Sequence, residues 1–187
     1  QAMAEGFRVP DGLILAYPVT MLSPTPSCSR LNSALDPMLH ISTLLRLLPI
    51  YVPSDYDPCT APAARSIWAD APGGSRPPTF GASLWQSAPV GTNVYLSPGV
   101  APDAALKAFP PTRFLVGEFD PLLDDSVHMY RRMKAVGHPD VVMSVRPGLG
   151  HGFLNLANVV PEALEATRLV SAWITDWDEE ERAAQAR

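Results

Sequence analysis

A chain of 187 residues, 47% hydrophobic and 18% charged, is long enough for one domain with a sizeable core and too apolar to stay disordered. Its net charge of -5, with no run of Lys or Arg, argues against nucleic acid and against a lipid-headgroup patch. No apolar run approaches the roughly 20 residues of a membrane span, and no signal peptide opens the chain.

Residues 1–6 read as the last turn of a helix stopped by Gly6. Leu13 to Tyr17 is a continuous apolar run bounded by Asp11-Gly12 and Pro18, the pattern of a strand covered on both faces. A turn-rich stretch with Pro24, Pro26 and several serines follows. Asp36-Pro37 then reads as a helix N-cap with proline in the first helical position. Leu39, Ile41, Leu44, Leu45, Leu47 and Leu48 carry that helix to Pro49.

Between 49 and 111 the chain is loop-like and holds twelve of the 21 prolines, which is why no helix or strand is expected there. Within it, 53–90 reads as a Pro/Gly-rich insertion or flexible lobe, least orderable at 72–78. Cys28 and Cys59 lack a Cys-x-x-Cys spacing and a neighbouring His. A disulfide between them is open, two thiols in a reducing compartment is the simpler reading, and zinc lacks a ligand cluster.

Order returns with a buried strand over 112–116, a helix from Leu122 to Val136 stopped at Gly137, and a strand over 141–145. An amphipathic helix from Pro161 to Trp177 follows, and the acidic residues 178–181 read as a solvated tail. This alternation of strand and helix implies an α/β fold with a mostly parallel sheet and flanking helices.

Two segments carry chemistry. Asp120, in Phe119-Asp120-Pro121-Leu122-Leu123-Asp124-Asp125-Ser126, follows a strand, where open α/β sheets place their sites. The bland alternative is a helix cap, for which Asp124 and Asp125 are better placed. His151 stands between Gly150 and Gly152 after the next strand, 31 residues on, where the glycines allow a sharp turn. His40 and His128 fall in helical patterns and His138 in a Gly-His-Pro turn. Acid before base is the order in which an α/β hydrolase completes a Ser-Asp-His triad. No Gly-x-Ser-x-Gly elbow and no His-Gly-Gly-Gly segment occurs in the sequence, so the nucleophile is none of its residues. Ser75 and Ser83 have glycine neighbours but fall inside 53–90, without the strand–turn–helix context an elbow requires.

Residues 8–18, 93–103, 110–113, 119–127 and 151–154 together resemble hormone-sensitive lipase. The resemblance implies an α/β hydrolase that cleaves carboxylic esters, acylglycerols and other lipids among them, with no metal or organic cofactor. Asp120 resembles the triad acid and His151 the triad base. The family's Gly-Asp-Ser-Ala-Gly-Gly elbow would precede Gln1, so that 1–187 is the C-terminal portion of one hydrolase domain, inactive by itself. The stretch 53–90 occupies the place of the animal enzyme's regulatory insertion and is shorter. A cytoplasmic enzyme is expected, with lipid droplets or membranes as surfaces for the full-length protein. The competing expectation is a non-catalytic receptor or interaction module on the same fold, against which the retained His151 argues.

Overall fold

Three apolar runs pair as a parallel sheet in the computed structural model of the chain, which describes residues 7–22, 27–40, 42–43 and 93–185. In chain order the elements are β1 (Leu13–Ala16), α1 (Cys28–Leu31), α2 (Asp103–Lys107), β2 (Thr112–Gly117), α3 (Leu123–Ala135), β3 (Val141–Arg146) and α4 (Pro161–Gln185). The sheet order is β1-β2-β3. Single 3-10 turns lie at Asn32–Ala34, Pro98–Val100 and Phe153–Leu156.

The central strand explains its own sequence. Phe114, Leu115 and Val116 are fully buried, because helices cover both faces of β2 and strands flank both edges. Side chains alternate across the sheet. The rung Leu15–Phe114–Met143 packs with Leu106, Met129 and Met133 under α2 and α3. Leu115, one residue on, packs with Ile14, Phe153, Ala163, Ala166 and Trp173 under α4. Each large side chain buried this way contributes about 2–3 kcal/mol. β1 pairs with β2 only, so its other edge meets no strand among the described residues.

Helix α3 ends where the sequence says it should. Gly137 takes φ +72°, its N–H donates to Lys134 C=O, and His138 N–H donates to Met133 C=O. These are the paired bonds of a Schellman ending, which needs a residue able to adopt a left-handed backbone. His138 is buried behind this turn, with Nε2 2.8 Å from Phe109 O and Nδ1 accepting from Asp140 N–H.

Several expectations give way. Helix α2 and the turn at Pro98–Val100 interrupt the supposed loop. Asp103 opens that helix and Leu106 is its buried residue, too short a run for periodicity to show. α1 likewise interrupts the turn-rich stretch. The acidic run 178–181 is helical, not a tail, and Asp178 pairs with Arg182 one turn on at 2.8 Å. Residues 37–40 are not helical, so the predicted helix does not start at Pro37, although 42–43 are helical and Asp36 does accept cap-like bonds from Met38 and Leu39 N–H. The helix end at 1–6, the apolar residues 44–48 and all of 53–90 lie outside the described residues.

Candidate active site

Asp120 sits three residues beyond β2 and is fully buried. Its backbone N–H donates to Gly117 C=O, which closes a tight turn. The carboxylate Oδ1 accepts Leu122 N–H at 2.8 Å, so Asp120 serves the entry to α3 as well. Both oxygens face His151 Nδ1, at 3.2 and 3.1 Å. The two residues singled out from the sequence therefore meet.

The loop between β3 and the turn at Phe153 is held close to the end of β2. Phe119 N–H donates to Leu149 C=O at 3.0 Å. Glu118 Oε2 accepts Gly148 N–H at 3.0 Å, with Gly148 at φ +71°. Gly152, at φ +69°, then turns the chain into the 3-10 turn. Such backbone angles favour glycine. The imidazole keeps 19% of its surface exposed, whereas the carboxylate keeps none.

A carboxylate can only accept, so Nδ1 carries the proton and Nε2 takes the opposite edge of the ring. Among the described residues no hydrogen bond to Nε2 is present. A fixed tautomer with an open Nε2 suits proton transfer to and from a substrate-side group. None of the described serines or threonines bonds to this ring, and Ser75 and Ser83 lie outside the described residues.

Two neighbours were not recognised in the sequence as site residues. Tyr17 packs its ring edge-on against His151, centroids 4.7 Å apart, and against Phe153 at 5.6 Å. Its φ of +38° is strained for an aromatic residue. Burial, and then the Asp120 charge, push the Tyr17 phenol above its ordinary value of 10.0, which keeps it neutral. Asp36, 95% buried, accepts His151 N–H on Oδ2 at 2.8 Å. The only signals were the Tyr17-Pro18 break after an apolar run and the Asp36-Pro37 pair.

Asp124 and Asp125 do not cap α3, whose N-cap position is Leu122, a residue with no side-chain cap bond. They tie α3 to the segment after β1 instead. Asp124 accepts Ser29 N–H at 2.8 Å. Asp125 accepts Thr20 and Met21 N–H and pairs with Arg30 at 3.0 Å. Burial lifts the Asp125 carboxyl above its ordinary value, against the opposing pull of Arg30 and those amides. A cleft of about 590 Å³ lined by Met21, Arg30, His128 and Arg131 lies along this side of α3 and includes neither Asp120 nor His151. Among the described residues no cluster of His, Cys, Asp and Glu could hold a metal, and Cys28 is an exposed free thiol. Cys59 lies outside them. No described helix is long and apolar enough to cross a membrane.

Residues 78–155 match a family described as alpha/beta hydrolase fold. Human hormone-sensitive lipase is 42% identical over 83 residues, 44% of this chain and 8% of the lipase. The carboxylesterase NlhH of Mycobacterium tuberculosis is 40% identical over 72 residues, 38% of this chain and 21% of that enzyme. The hyperthermophilic esterase of Pyrobaculum calidifontis superposes with a TM-score of 0.65 at 21% identity, covering 94% of this chain and 45% of the esterase. Carboxyl esterase 2 of the fungus Tuber melanosporum gives 0.63 at 19%, covering 90% and 45%. The chain thus spans less than half the length of these proteins, and the structural likeness is one of fold.

Proposed function

From a chain that has the α/β-hydrolase fold and resembles hormone-sensitive lipase over 83 residues, we propose an ester-hydrolase portion that supplies acid and base to a serine held elsewhere. Asp120 is the acid and His151 the base. The substrates are carboxylic esters, lipid or acylglycerol esters among them. The observation that carries this reading is the bond from His151 Nδ1 to the buried Asp120 carboxylate, which leaves Nε2 open.

The chemistry follows from that bond. Nε2 removes the proton from the serine hydroxyl as its oxygen attacks the ester carbonyl, and the imidazolium then gives the proton to the departing alkoxide. Asp120 remains ionised, fixes the tautomer and stabilises the imidazolium. Water repeats the sequence on the acyl-enzyme, with Nε2 again taking and returning the proton. The serine and the N–H donors for the oxyanion come from outside the 187 residues, because the sequence has no elbow or His-Gly-Gly-Gly segment. The edge of β1 away from β2, which meets no strand among the described residues, suits a further parallel strand leading into such an elbow. Residues 1–187 then form the C-terminal portion of one domain, with 53–90 as an insertion.

The test compares the 187-residue chain with the same chain joined to its upstream coding sequence, on short acyl esters. The chain alone is expected to match a background protein, and the longer form to turn over. Burst acylation of the 187-residue chain itself would overturn the reading.

A further inference from the structure

The geometry points to Asp36 as a positioning residue for His151. Its role in catalysis rests on the function proposed above, but its structural consequence is independent of it. Asp36 and His151 lie 115 residues apart, and the carboxylate joins them through the backbone. Oδ2 accepts His151 N–H at 2.8 Å, while Oδ1 accepts Met38 N–H at 2.8 Å and Leu39 N–H at 2.7 Å. One buried carboxylate thus gathers three amides from two segments. A carboxylate satisfied by several N–H donors in a dry setting is a rigid junction, since losing it strands all of them.

Gly150 makes the junction possible. A β-carbon there would stand 2.8 Å from Asp36 Oδ2, so a side chain at 150 would displace the oxygen that holds His151. Its φ is not in the left-handed range, so alanine meets no backbone strand-angle penalty and the close approach alone accounts for the effect. The imidazole is therefore aimed from two directions. Asp120 holds Nδ1, and Asp36 fixes the backbone from which the ring projects.

The test uses the 187-residue chain with its four histidines labelled with ¹⁵N, and reads the His151 Nδ1 proton, assigned by its loss in His151→Ala. Wild type is expected to show this proton far downfield, as a hydrogen bond to a carboxylate requires. Asp36→Ala should shift or broaden it away, and Asp36→Asn should do so less, keeping one acceptor oxygen. Gly150→Ala acts on the same bond from the other side and decides the matter if Asp36→Ala fails to fold. A signal unmoved in Gly150→Ala and in folded Asp36 variants would reduce Asp36 to a stabilising loop contact and overturn the inference. Absence of the downfield proton in wild type would overturn it too. The catalytic reading fails separately, if the longer form hydrolyses esters with His151 replaced by alanine.

Discussion

A β-carbon on Gly117 would stand 2.3 Å from the carbonyl oxygen of Leu149. The end of β2 and the loop carrying His151 therefore meet backbone to backbone, and Phe119 N–H bonds that same carbonyl at 3.0 Å. This approach brings His151 within 3.1 Å of Asp120. Gly117→Ala should force the loop outward, costing about 1–3 kcal/mol as overpacking does. The denaturant midpoint measures that cost, and the His151 Nδ1 proton should weaken with it. A variant as stable as wild type would mean that the loop yields freely.

Asp120→Asn should separate chemistry from folding. The amide oxygen can still accept Leu122 N–H, so the entry to α3 survives. Its NH₂ group, turned to Nδ1, favours the tautomer with the proton on Nε2, which cannot then act as base. In the form extended upstream, kcat should fall by on the order of 10⁴ with KM little changed, as for a triad acid. A kcat within a few-fold of wild type would remove Asp120 from the mechanism.

The pairing of Asp120 with His151 was legible because each follows a short apolar strand, and parallel strands deliver their C-terminal ends to one edge. The strands and α3 were legible for similar reasons: unbroken apolar runs, helical spacing and a glycine stop. Asp36 was legible only as a helix cap. Its bonds to Met38 and Leu39 N–H look like capping, but its second oxygen serves a residue 115 positions away. Local pattern cannot show such a bond. Asp124 and Asp125 failed the same way, because distant backbone amides and Arg30 competed for them against the helix end.

Tyr17 gives a pH signature. Its phenol titrates above 10.0 in the folded chain through burial and the Asp120 charge, while the unfolded chain titrates near that value. Above pH 10.0 the folded state holds the proton more tightly, so stability is fully present below that pH and declines as pH rises through the folded value. Tyr17→Phe should remove this part of the alkaline loss. Phenolate absorbance with matched thermal melts checks it, and an unchanged alkaline limb would show that Tyr17 is not its source.

Asp125 and Arg30 test what anchors the segment after β1. Asp125→Ala leaves Thr20 and Met21 N–H without their carboxylate acceptor and takes the carboxylate away from the half-buried Arg30 guanidinium, so about 3–5 kcal/mol should be lost. Arg30→Met leaves the carboxylate in contact with both amides, and methionine fills much of the side-chain volume. Its cost should be clearly smaller. Urea titration of the two variants reads the difference. Equal losses would mean that Arg30, through its charge and its bond to Met21 C=O, holds the segment after β1 as firmly as the bonds from Asp125 to the two amides do.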